Sequence, residues 1–178
     1  MQVMTTVLPG VLILAPKVFA DARGFFLESF SQRRFDEVIG ERVAFVQDNH
    51  SRSTRGVLRG LHLQKPPHAQ GKLVRVASGR VFDVAVDIDP SSATYRRWVG
   101  VELDDVLHRQ MWTPGHYAHG FLVLSHSADR LGEATLVEAL EEKAARVGEH
   151  LGRDDQHAWQ QGGRDLHQNT RLSATWRR

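Results

Sequence analysis

Through the first two-thirds of the chain, apolar and polar residues alternate in short runs separated by Gly- and Pro-bearing turns. Strands are expected at residues 11–14, 25–30, 43–47, 57–64, 72–77, 80–88, 97–103 and 119–124. Their connections include Asp21-Ala22-Arg23-Gly24, Lys65-Pro66-Pro67, Ser78-Gly79 and Thr113-Pro114-Gly115. One short helix is predicted over Gln32–Ile39, ended by Gly40. Many short strands with closely spaced turns predict an all-β fold, an antiparallel sandwich or barrel of the jelly-roll kind.

The run 80–88 carries the most specific expectation. Phe82, Val84, Val86 and Ile88 share one face, and Val81, Asp83, Ala85 and Asp87 share the other. The wholly apolar face is expected to be core. The face with two carboxylates is either a solvent face, as antiparallel sheets often have, or a polar interior lined by Asp83.

Beyond Leu131 the pattern changes. Leu136, Leu140, Ala144, Val147 and Leu151 fall at helical spacing among charged residues, predicting an amphipathic helix over about 134–150. Residues 152–178 are polar and weakly patterned, and loop or disorder is expected there. The expected organisation is therefore 1–131 as a β domain and 132–178 as a divergent helical and loop segment of the same chain.

Composition narrows the functional classes. The 178 residues carry a formal charge of only +2 and form no basic stripe with interleaved aromatics, so nucleic acid is not an expected partner. The absence of cysteine excludes disulfides and thiolate metal sites. No apolar run approaches the ~20 residues of a membrane span. Residues 1–18 lack the charged start and apolar core of a signal peptide, so a cytoplasmic protein is expected.

The candidate chemistry gathers between Asp48 and Lys72. On an extended strand His62 shares a face with Gly60 and Gln64, while Arg59 falls on the opposite face. A lone histidine between leucines is commonly a core residue, but this one is accompanied by Arg59, Lys72 and His119. A histidine neutral near pH 7 can act as a general base. A nearby Lys or Arg can hold the oxyanion formed when a proton leaves carbon next to a carbonyl. Gln47-Asp48-Asn49-His50-Ser51 reads either as a turn or as side-chain amides facing a base or sugar. Arg23-Gly24-Phe25-Phe26-Leu27-Glu28 reads as a hairpin with core phenylalanines, or as a phosphate clamp with a stacking ring. His62, His68, His116 and His119 do not reproduce a cupin metal motif, because Gln64 stands where the second histidine belongs; no metal is expected.

Taken in order, these segments resemble the dTDP-4-dehydrorhamnose 3,5-epimerase family, a cupin-fold group. The resemblance rests on Pro16-Lys17-Val18-Phe19, Asp21 through Phe30, Phe45-Val46-Gln47-Asp48-Asn49-His50-Ser51, Gly56-Val57-Leu58-Arg59-Gly60-Leu61-His62, Gln70-Gly71-Lys72-Leu73-Val74-Arg75, Val81 through Asp87, and Ala118-His119-Gly120-Phe121-Leu122-Val123-Leu124. It covers roughly residues 3–131. It implies a cupin-type jelly roll and a homodimeric isomerase that needs neither metal nor cofactor. The implied reaction inverts C3 and C5 of a dTDP-4-keto-6-deoxyhexose in dTDP-rhamnose biosynthesis. By position, His62 is the implied base and Lys72 the group facing the C4 keto oxygen. Arg59 and His119 line the sugar–diphosphate pocket, Arg23 reaches a phosphate, and Gln47 and Asn49 contact the nucleotide side. Phe26 and Glu28 reach the partner subunit's site.

The resemblance ends abruptly. The family places a tyrosine, the acid for the opposite ring face, directly after the strand containing Ser127-Ala128-Asp129. Here Arg130-Leu131 are followed by Gly132. The aspartate that pairs with the base histidine also has no matching segment. Either a frameshift or recombination altered the C-terminus of an ordinary epimerase, or the chain is a divergent homologue. The alternatives to full epimerisation are a related dTDP-4-keto-sugar 3- or 5-epimerase or ketoisomerase, and a non-catalytic dTDP-sugar-binding homologue.

Overall fold

The computed structural model describes residues 1–65 and 68–135. The chain forms β1 (Gln2–Thr5), β2 (Leu12–Ala15), β3 (Val18–Asp21), β4 (Gly24–Leu27), α1 (Gln32–Ile39), β5 (Phe45–Thr54), β6 (Leu58–His62), β7 (Lys72–Ser78), β8 (Arg80–Asp87), β9 (Trp98–Asp104), β10 (Gln110–Thr113), β11 (Tyr117–Val123) and β12 (Ser127–Thr135). A six-stranded sheet runs β1-β2-β10-β7-β12-β5 and a four-stranded sheet runs β6-β11-β8-β9. All their pairings are antiparallel. The two sheets form the open sandwich that the alternation predicts. The hairpin β3–β4 stands apart as a two-stranded sheet.

Side-chain alternation divides each strand between two environments. From the six-stranded sheet, Ile13, Met111, Val74 and Val76 face the interior, where they join Val81, Leu103 and Phe121. Their sequence neighbours Leu14, Trp112 and Leu73 face the other way, against Phe35 of α1 and Val43. Phe35 and Trp112 meet edge to face, with ring centroids 5.2 Å apart. The helix ends as its sequence predicts: Gly40 adopts φ 83°, open to a residue without Cβ, and its N–H donates to the Asp36 carbonyl.

Strand β8 corrects one expectation. Val81, Asp83, Ala85 and Asp87 are the buried face, while Phe82, Val84 and Val86 are only half-buried on the outside. The sandwich interior is partly polar, so the face carrying carboxylates belongs inside, and Asp83 lines it. Outside, the Phe82 ring lies over Gly100 of β9, where an added Cβ would come within 2.3 Å of it.

Two further differences concern residues that turn formers had obscured. The segment Asp48–Ser51 is the middle of β5, not a turn. Strand order also survives the change of pattern beyond Leu131. Strand β12 continues to Thr135 with neighbours on both sides, pairing Gly132 with Asn49 of β5 and with Val74 of β7. Ala134 and Thr135 close this strand; the rest of the helix expected over about 134–150 lies outside the described residues.

Candidate active site

The candidate site lies at the open edge of the sandwich, where β5 ends one sheet and β6 ends the other. Register explains how Arg59 and His62, three residues apart, both serve it. His62 pairs with His119, but Arg59 pairs with Phe121, and the ladder between them is irregular. The extra residue returns Arg59 to the face of His62, contrary to the simple alternation expected for an extended strand. Gly60 makes this possible. It has φ 135°, and a Cβ there would meet the Gly120 Cα at 2.6 Å. Arg59 then reaches across to the facing sheet, its Nε donating to Ser53 Oγ of β5 at 3.1 Å.

The floor is built on β8, β11 and β12. His119 is buried and its Nε2 lies 2.6 Å from Asp83 Oδ1. The other carboxylate oxygen of Asp83 is 3.5 Å from Arg130 Nε. That distance gives an ion pair without a hydrogen bond, and both atoms are buried with no other polar partner. The Arg130 guanidinium also lies over the Phe121 ring, 4.7 Å from its centroid. Asp83 thus ties His119 of one sheet to Arg130 of the other.

Charge in the cavity is predominantly positive. Partial burial, then Lys72, His119, Arg130 and Arg59, lower the His62 pKa from its usual value. His62 is therefore neutral at pH 7, with a lone pair available to take a proton. Burial lowers the Lys72 pKa, and Arg130 adds to the effect while Asp83 opposes it. A cation that is partly desolvated interacts strongly with any negative charge brought beside it.

These elements bring His62, Lys72, Arg59 and His119 together as the sequence pattern suggests. Gln47 and Asn49 lie along β5 on the face of Ser53, and the Gln47 amide donates to Asn49 Oδ1 at 2.9 Å. Arg23, Phe26 and Glu28 belong instead to the β3–β4 hairpin and its exit. There Arg23 pairs with Asp21, Glu28 pairs with Arg34, and Phe26 is 70% exposed rather than a core residue. A cleft of about 370 Å³ between this hairpin, α1 and the outer sheet face holds Phe26 and Glu28 but none of His62, Lys72, Arg59 or His119. Those four side chains gather at the sandwich edge instead.

Sequence reading missed Arg130 and Ser53. On β12, Ala128, Arg130 and Gly132 alternate with Asp129, Leu131 and Glu133, a division that the pairing shows and the mixed polarity of both sets hides. The second set faces outward, Asp129 to Arg52 at 2.6 Å and Glu133 to Arg75 at 3.1 Å. Neither carboxyl group enters the cavity. Tyr117 donates its hydroxyl proton to the Pro9 carbonyl, and burial, with Asp87 beside it, pushes its pKa up to about 12. Among the described residues, no cluster of three or more His, Asp or Glu side chains is placed to hold a metal ion.

Comparison with known proteins bears on the fold and the family. The family model for dTDP-4-dehydrorhamnose 3,5-epimerase matches residues 5–147. The dTDP-4-dehydrorhamnose 3,5-epimerase of Shigella flexneri is 60% identical over 129 residues, covering 72% of this chain and 71% of its own. That of Salmonella typhimurium is 58% identical over 135 residues, covering 76% and 74%. The crystal structure of dTDP-6-deoxy-D-glucose-3,5-epimerase from Legionella pneumophila Philadelphia 1, in complex with dTDP-4-keto-L-rhamnose, superposes with a TM-score of 0.72. It is 49% identical, over 75% of this chain and 71% of that one. With a cupin-fold sandwich and a family match over most of its length, the chain belongs to the dTDP-4-dehydrorhamnose 3,5-epimerase family.

Proposed function

We propose that the chain is an isomerase acting on a dTDP-4-keto-6-deoxyhexose, with proton abstraction next to the C4 ketone as its chemical step. The observation that carries this reading is the pairing of a His62 held neutral with a half-buried Lys72 in one cavity. His62 removes the proton at C3 or C5, and Lys72 neutralises the negative charge that moves onto the C4 oxygen. The ketone acidifies both neighbouring carbons, so one base and one cation serve two positions. Arg59 and His119 line the sugar and diphosphate, and Gln47 and Asn49 face the nucleotide.

Inversion requires a proton delivered to the opposite ring face. The inward-facing residue on β12 between Asn49 and Val74 is Gly132, whose side chain offers no proton. Proton removal and return through His62 therefore outpaces inversion in this chain. The proposal extends to a homodimer. Arg23, Phe26 and Glu28 sit on an exposed hairpin, and such an arm is suited to completing the site of a partner subunit. The test of the central step uses dTDP-4-keto-6-deoxyglucose in D2O, with NMR following deuterium at C3 and C5. Incorporation by the native chain and its loss in His62→Ala is expected; equal incorporation by both would refute the role of His62.

A further inference from the structure

Ser53 is a buried polar residue to which the proposed chemistry gives no part. It lies on the inner face of β5, opposite Ala128 of β12 and beside the apolar interior that Ala128 joins. Packing there asks only for a small side chain, and alanine on the neighbouring strand meets that need. The hydroxyl has a separate partner: Ser53 Oγ accepts the Arg59 Nε–H at 3.1 Å. The two residues straddle the turn by which the chain leaves one sheet for the other. Backbone bonds fix that turn, Arg55 N–H to the His126 carbonyl and Gly56 N–H to the Val123 carbonyl. The neighbour Arg52 adds a further anchor on the outer face, where it grips Asp129 of β12 through hydrogen bonds of 2.7 and 2.6 Å. The acceptor is therefore fixed, and the long side chain of Arg59 is the part that it holds.

Arg59 also differs from its neighbours in charge pairing. Arg52, Arg75 and Arg130 each meet a carboxylate, of Asp129, Glu133 and Asp83 respectively, whereas Arg59 is bonded to a neutral hydroxyl. A guanidinium presents its N–H groups in a fixed planar fork. With Nε turned to Ser53, the edge formed by Nη1 and Nη2 is the one left for an anion, and two parallel N–H bonds match two oxygens of one phosphate. We propose that Ser53 is a positioning residue for anion binding: its hydroxyl holds Arg59 at Nε, so that the terminal nitrogens meet the substrate's diphosphate already in place. An arginine free to rotate would have to be immobilised on binding, and that cost falls on affinity. In this role Ser53 acts through Arg59 and not on the reacting carbons.

This inference rests on the proposed function, in which Arg59 lines the sugar and diphosphate, and the experiment separates the two. Ser53→Ala, Arg59→Met and the double variant are compared with the native chain, with thermal melting as the check on folding. Three readouts are taken: the affinity for dTDP by calorimetry, kcat and KM for deuterium exchange into dTDP-4-keto-6-deoxyglucose, and solvent exchange of the Arg59 Nε–H by NMR in the free protein. Ser53→Ala is expected to weaken dTDP binding about fivefold, the scale of one long side chain that must be immobilised on binding. KM should rise with it while kcat stays native, because His62 and Lys72 are untouched. The Arg59 Nε–H should exchange faster with solvent once its acceptor is gone. A serine that only filled space would leave all three readouts at their native values. In the Arg59→Met background, Ser53→Ala should weaken dTDP binding no further. Native dTDP affinity in Ser53→Ala would overturn the proposal. So would an undiminished loss in the Arg59→Met background, or a native chain that binds no dTDP. A native chain that binds dTDP but exchanges no deuterium would refute the proposed function, and the dTDP and Nε–H measurements would still decide the role of Ser53.

Discussion

At the scale of single residues, the cavity is organised by one carboxylate among several positive or potentially positive groups. Asp83 is fully buried between His119 and Arg130, and a buried carboxylate is tolerated only with such partners. The excess positive potential falls on His62, whose pKa is lowered by partial burial first and by four neighbouring groups after that. The sign follows directly. His62 must be neutral to act, so exchange should rise with pH through a midpoint below the ordinary histidine value of 6.5 and level off before neutrality. A rate profile from acid to neutral pH checks this; a midpoint at or above 6.5 would contradict it. Lys72→Met removes the cation beside the developing oxyanion and should lower exchange by about 10²-fold or more. If the lysine served only to bind substrate, KM would rise while kcat stayed unchanged.

At the scale of elements, most of the strands and the one helix were legible because their alternation is regular. The helix Gln32–Ile39 was legible to its ends, since Gly40 marks the stop and Phe35 marks the buried face. Phe35→Ala should destabilise the protein by about 3–5 kcal/mol, because it leaves a cavity against Trp112 and Phe45. Chemical denaturation measures that loss. His62 titration in the variant should stay native, since α1 packs on the outer sheet face away from the cavity. Three features were not legible. Polar residues within β5 mimic a turn, although pairing with β12 keeps them extended. The irregular register on β6, which returns Arg59 to the side of His62, depends on its neighbour β11 and leaves no mark in the strand's own pattern. On β12, Arg130 and Gly132 break the apolar alternation, yet sheet pairing on both sides holds them in line. In each case a tertiary partner overrides the local signal.

At the scale of the whole molecule, the hairpin β3–β4 is the most exposed apolar feature among the described residues. Phe19, Phe25 and Phe26 are 52%, 62% and 70% exposed. Three aromatic rings on a hairpin that lies outside both sheets suit a contact with a second copy better than with water. Phe25→Ser/Phe26→Ser should leave the melting temperature of a monomer nearly unchanged while weakening dimerisation, as sedimentation equilibrium would show; a native dimer in that variant would contradict the arm's role. The family match through residue 147 places the chain within the epimerase family, and the proposed function has Gly132 separate proton removal from inversion. The most direct measurement of that separation follows both events in one sample. The native chain is incubated with dTDP-4-keto-6-deoxyglucose in D2O, and NMR resolves deuterium at C3 and C5 from the appearance of C3 and C5 epimers. The account predicts deuterium entering with retained configuration, well ahead of any epimer. Epimer forming at the same rate as exchange would contradict it.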